Sequence, residues 1–139
     1  MENNIEDRLG MVDNMEVKGL ILEYPELFGT TFDPRETAIC FGFEIGNGWL
    51  QVFKKYLPEL SKEILDNELK DFKIVQVKEK FGSIRIYTQY TTEGVETIIN
   101  KIEAECETTC EECGSPEGKF RQDGWLRVLC DKCEANRKK

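Results

Sequence analysis

The chain has 139 residues, a formal net charge of −8 and no histidine. The missing imidazole excludes histidine-dependent catalytic triads, histidine-metal nucleases and the zinc deaminases, which need it as base or ligand. Length predicts one domain, or a compact domain carrying a small module, and no apolar run reaches the roughly 18 residues of a membrane span.

The charge is uneven. Residues 110–139 hold six acids and seven bases, leaving twenty-one acids against twelve bases in residues 1–109. So acidic a body is a poor general DNA binder, because phosphate affinity comes from lysine and arginine. The opening MENNIEDRLG has neither a basic n-region nor an apolar h-region, so the expected location is the cytoplasm. In that reducing compartment six cysteines read as metal ligands and buried core residues rather than disulfides.

Ile5, Leu9 and Val12 have helical spacing weakened by Gly10, which predicts a short or frayed helix before a docking helix near 15–23. Tyr24-Pro-Glu-Leu-Phe28 reads as a turn, since Pro25 pushes Tyr24 out of helical geometry, and Asp33-Pro34 as another. Ile39, Phe41, Phe43 and Ile45 then alternate with smaller or polar residues, predicting a strand over 37–45 that contains Cys40. Gly46-Asn47-Gly48 ends it, with Asn47 the expected cap of the next helix.

Trp49, Val52, Phe53, Tyr56, Leu57, Leu60, Ile64 and Leu65 form the strongest amphipathic pattern of the chain, a helix near 48–69 kinked or restarted at Pro58. Residues 72–90 alternate on both sides of Gly82 and predict a β-hairpin, with a bulge at the turn. It is the most basic part of the body, carrying Lys73, Lys78, Lys80 and Arg85, and Arg85 shares a face with Tyr87 and Gln89. Thr91 and Thr92 cap a helix over 93–107 whose stripe of Val95, Ile98, Ile99, Ile102 and Cys106 leads to the first cysteine pair. Cys40 and Cys106 read as small buried hydrophobes.

Cys110-Glu-Glu-Cys113 and Cys130-Asp-Lys-Cys133 are sixteen residues apart, a spacing that fits a four-cysteine zinc site. Between them Lys119-Phe-Arg121 reads as a strand, Asp123-Gly124 as a turn and Trp125–Leu129 as the returning strand, together a zinc ribbon. Four thiolates close a tetrahedral shell and leave no position for activating water, so the expected role is structural, one Zn2+ per chain. Spacing leaves iron at the same thiolates open. A pair of redox Cys-x-x-Cys motifs is the rival, disfavoured because neither pair is expected to open a helix after a strand in a βαβ unit.

The expected fold is α+β: a small antiparallel sheet from 37–45 and 72–90 packed with helices (residues 1–109), plus a docked zinc ribbon over 110–139 with a solvated basic tail. Arg121, Trp125 and Arg127 are expected to project from the ribbon hairpin. With Lys78, Lys80 and Arg85 they are the candidate binding residues, suited to a protein interface or to nucleic acid. A carboxylate site around Glu44, beside the Gly46/Gly48 loop, is the third reading.

Three stretches together resemble a group of small, uncharacterised bacteriophage and prophage proteins with a metal-binding C-terminus: Phe41-Gly-Phe-Glu-Ile-Gly-Asn-Gly-Trp49, Val77-Lys-Glu-Lys-Phe-Gly-Ser-Ile-Arg85, and Cys110-x-x-Cys-Gly with Gly124-Trp125 and Leu129-Cys130. The likeness covers roughly residues 20–133. That group usually has Gly-Asp-Gly-Trp, Lys-Phe-Gly-Gly and a histidine as last ligand, where this chain has Asn47, Ser83 and Cys133. The resemblance implies a phage origin and a bacterial cytoplasm but supplies no activity. The leading expectation is a binding protein acting on a host or phage protein complex, as an inhibitor of a host nuclease or defence system. A nucleic-acid-binding accessory protein is the alternative.

Overall fold

The structure, a computed structural model, describes residue 9 and residues 12–137. Among these the elements run α1 (Met15–Glu23), α2 (Pro25–Phe28), a 3-10 turn (Ile39–Phe41), α3 (Asn47–Asp66), β1 (Lys73–Lys80), β2 (Ser83–Gln89), α4 (Glu93–Cys106), β3 (Lys119–Arg121), β4 (Arg127–Leu129) and α5 (Asp131–Arg137). The strands form two separate antiparallel pairs, β1 with β2 and β3 with β4. The fold is therefore α+β, as expected. The helix expected over Ile5–Val12 falls mostly outside the described residues, although Leu9 and Val12 themselves are buried. No helix among the described residues is long and apolar enough to cross a membrane.

Local chemistry accounts for the elements. The Asn14 side chain accepts from the Glu16 and Val17 N–H groups at 2.9 and 3.2 Å and starts α1. Thr92 does the same for α4, taking the Val95 N–H at 3.2 Å. Pro25 does not merely turn the chain: it sits at the first position of α2, where its missing N–H costs nothing. α3 runs unbroken through Pro58, whose side lies in solvent. Its N-cap is Gly46, and Asn47 is already helical.

The strand expected over 37–45 is not there. Ile39–Phe41 winds into a 3-10 turn, closed by Gly42 at φ +83° with its N–H on the Ile39 carbonyl at 2.9 Å. Only Glu44 makes a β-bridge, parallel to Lys78. Ile39, Cys40 and Phe43 reach the core even so, and Phe43 stacks edgewise on Phe53 with centroids 5.2 Å apart. The turn rotates Phe41 outward, against the alternation. The bulge of the hairpin lies at Val75 rather than at Gly82: Ile74 faces Thr88 and Gln76 faces Tyr87, leaving Val75 without a partner. The extra residue aims its carbonyl at the Ala38 N–H, 2.7 Å away, which ties the 37–45 segment to the sheet edge.

The main core gathers Leu20, Leu27, Phe28, Trp49, Phe53, Leu57, Ile74, Val77, Ile99 and Ile102, and extends to Val128 of β4. Cys106 and Cys40 are both buried with them, which confirms both as core residues. At the C-terminal end the returning strand is shorter than expected, Arg127–Leu129. Residues 131–137 form a helix that the residue pattern does not announce, and Lys138 and Lys139 lie outside the described residues.

Candidate metal centre

The sulfurs of Cys110, Cys113, Cys130 and Cys133 all lie within 4.8 Å of one another. Four Zn–S bonds of about 2.3 Å at tetrahedral angles separate sulfurs by about 3.8 Å. The Cys113 and Cys130 sulfurs are 3.7 Å apart, far beyond a disulfide and close to that edge. The donor set and its dimensions therefore fit a tetrahedral ion. Cys110 and Cys130 are buried, Cys133 is half-buried and Cys113 is exposed.

The second pair stands where β4 passes into α5, so a helix does follow a strand there, but β4 belongs to a two-stranded antiparallel pair and no strand follows α5 among the described residues, so the βαβ setting of a redox motif is not formed. Clustering of all four sulfurs across the two pairs speaks against two separate redox motifs as well. The first pair is shaped by a tight turn: Gly114 N–H reaches the Cys110 carbonyl at 2.9 Å, and Cys110 N–H the Ser115 carbonyl at 2.8 Å. Burial opposes ionisation of Cys110, but hydrogen bonds from the backbone of Cys113, Cys130 and Glu112 outweigh it and bring the thiol to about 7. Burial and the neighbouring thiols push Cys133 up to about 12. A bound divalent cation makes all four thiolate ligands and expels the protons they hold.

The knuckle is held from below by the Gly46–Trp49 motif. Gly48 N–H donates to the Glu111 carbonyl at 2.9 Å, and the buried Trp49 indole N–H donates to the Thr109 carbonyl at 2.9 Å. A methyl on Gly48 would lie 2.0 Å from the Cys110 carbonyl oxygen, and one on Gly46 would lie 2.3 Å from that of Glu111. Both glycines exist so that the start of α3 can touch the knuckle backbone. Glu44 is exposed, and its backbone bonds β1 on both sides. The motif is thus a brace for the cysteine cluster, and no carboxylate pocket forms around Glu44 among the described residues.

The second motif meets the other end of the same region. Phe81 and Gly82 turn the hairpin with φ of 54° and 79°, and the Glu79 carboxylate accepts the Gly82 N–H at 2.8 Å. Gly82 packs flat under Phe120 of β3: a methyl there would come within 2.5 Å of its ring. Glu111, between the ligands of the first pair, accepts the Val128 N–H at 2.9 Å. The cluster, β3–β4 and the β1–β2 turn therefore form one continuous contact chain.

The six candidate binding residues separate into two groups. Lys78, Lys80 and Trp125 come together along one cleft of about 420 Å³, walled also by Phe81 and Leu126. Neither lysine is in an ion pair among the described residues, and Phe81 and Trp125 are 66% and 69% exposed. The remaining three are engaged elsewhere. Arg121 does not project: its guanidinium folds back onto the Leu129 carbonyl at 2.9 Å and onto Asp131. Arg127 donates to the Trp125 carbonyl at 3.0 Å, and Arg85 to the Ser83 hydroxyl at 3.0 Å. Neither Phe81 nor Phe120 is among the binding residues expected from sequence; the Val77–Arg85 stretch that contains Phe81 is the signal that marks the first of them.

Fold and site together define an α+β protein with a four-cysteine cluster able to hold a metal ion. No family model matches the chain, and neither a curated protein nor a solved structure matches it.

Proposed function

We propose that this chain is a binding protein clasped by one structural zinc ion, whose ribbon hairpin and basic β1–β2 strands engage a protein partner. The observation that carries the reading is the contact chain from the closed four-thiol cluster to an exposed aromatic surface. Phe120 sits on Gly82, and Trp125 stands in the β3–β4 turn. A closed tetrahedral shell supports a structural rather than a catalytic ion. Residues 110–139 then act as a module that fixes the hairpin against the body, and large exposed aromatics are what interfaces use as anchors.

The motif likeness to small phage proteins supports a partner in a host or phage protein complex in the bacterial cytoplasm, with inhibition of a host nuclease or defence system as its finer form. The test is affinity capture from bacterial lysate with the zinc-loaded chain, the chelated chain and Trp125→Ala in parallel. A partner retained by the first and lost from the other two is expected. Equal recovery on all three, or no enriched protein, refutes the reading. One observation favours a second reading: lysines beside exposed aromatic rings also make a base-stacking platform, recognised by affinity that falls steeply with salt.

A further inference from the structure

We infer that the cleft between the β1–β2 turn and the β3–β4 turn is a docking site for a short acidic peptide segment bearing an aromatic or leucine side chain. This rests on the protein-binding reading above and names its site and the chemistry of its partner.

Three features of the cleft carry the inference. Its walls are apolar and come from both hairpins: Phe81 on one side, Trp125 and Leu126 on the other. Its volume of about 420 Å³ lies in the range that encloses small ligands or one or two large side chains. Two rings left more than half in water are the surface from which an apolar partner side chain gains most on burial.

Charge selects the rest of the partner. Lys78 and Lys80 line the same cleft and have no carboxylate partner among the described residues, while Lys80 lies 5.6 Å from the centre of the Phe81 ring. The one acid among the lining residues, Glu79, spends a carboxylate oxygen on the Gly82 N–H. The cleft thus offers two ammonium groups against one amide-bound carboxylate beside apolar walls, a net positive lining complementary to carboxylates flanking an apolar side chain.

A nucleic-acid strand fits less well. It brings a phosphate with every nucleotide, whereas only two lysines line this cleft. Beyond them Glu44 is joined to Lys78 only through a backbone bridge, Arg85 stands opposite Lys78 on β2, and Asp123 is paired with Arg137, so no continuous basic track leads a phosphate backbone out of the cleft. A short peptide places its carboxylates at the lysines alone.

The test is selection of a random-sequence peptide display library on the zinc-loaded chain, followed by binding of the enriched peptides, and of fluorescein-labelled oligothymidylate, to Trp125→Ala and to the double variant Lys78→Glu, Lys80→Glu. Trp125 and Lys80 are exposed and Lys78 is half-buried; zinc content and melting temperature are measured on both variants and are expected to stay at wild-type values. Peptides with Asp or Glu beside an aromatic or leucine, losing at least about tenfold in affinity in each variant, are the expected result. Enriched peptides that lack acids, or that bind both variants as well as the wild type, overturn the inference and leave the protein-binding reading standing. No enriched peptide, together with oligothymidylate binding that the lysine changes abolish, overturns both.

Discussion

Replacing Gly48 by alanine opposes two effects whose signs differ, and the structure decides between them. Gly48 lies in the first turn of α3, where alanine is favoured by helix propensity, by up to about 1 kcal/mol. Its Cβ, however, would lie 2.0 Å from the Cys110 carbonyl oxygen and 2.5 Å from the Gly114 N. Both are backbone atoms of the knuckle, so no side chain can rotate away. α3 and the knuckle must separate, which breaks the Gly48–Glu111 hydrogen bond and moves the first two sulfurs relative to the second two. Overpacking of this kind costs about 1–3 kcal/mol, with the higher end expected where backbone meets backbone. Zinc affinity should fall about five- to a hundredfold, measured by competition with a chromogenic chelator, and the melting temperature should fall with it. Gly19 is the control: it is helical and exposed, and an added methyl would meet nothing within 4 Å, so Gly19→Ala should stabilise by about 0.4–1 kcal/mol. A Gly48→Ala protein with wild-type zinc affinity and an equal or higher melting temperature would refute the reasoning.

Trp49→Phe keeps most of the buried ring but leaves the Thr109 carbonyl without its indole donor, so denaturant unfolding should show a loss of about 1–3 kcal/mol. Gly82→Ala combines a φ of +79° with a collision against Phe120; about 1–2 kcal/mol of stability is lost from the backbone conformation alone, and Phe120→Ala should not restore that part. Cys106 is buried and its thiol is pushed up to about 12. In the folded protein it should stay unreactive toward a thiol reagent at pH 8 after chelation has exposed the four cluster cysteines. Glu105 bonds Lys55 and the Tyr56 hydroxyl, and Lys55 holds its carboxyl below the usual range despite partial burial. A depressed carboxylate stabilises the fold above its unfolded pKa and loses that contribution as the pH falls through the lower folded value. Acid titration of Glu105→Gln should therefore show a shallower loss of stability in that window than the wild type.

The elements with strong periodicity were legible: the long helix beginning near Trp49, the β1–β2 hairpin, and the helix that carries Ile98 and Ile102 to the cysteines. The clustering of the four cysteines was legible because ligand chemistry fixes residue type and spacing together. The 37–45 segment was misread because alternation records which residues are apolar, while the 3-10 turn depends on Gly42 taking a positive φ. α5 was missed because a short, polar helix leaves little periodic signal, and its Glu134–Arg137 pair could as well belong to a solvated tail. The Gly46–Trp49 motif was visible as a motif but not as a brace, since what its glycines accommodate is the backbone of Cys110 and Glu111, some sixty residues on. Arg121 shows the same limit: sequence supplies the charge, but only the fold shows that the Leu129 carbonyl takes its N–H groups and Asp131 its charge.

The central claim is that the four cysteines share one zinc ion as a structural clasp. Metal analysis of the purified chain with sulfur-edge and zinc-edge X-ray absorption tests it most directly. The account predicts close to one zinc per chain, in a shell of four sulfurs at about 2.3 Å, with loss of the folded β3–β4 signals on chelation. A chain that purifies free of metal yet fully folded, or whose ion has open positions filled by water, would contradict it.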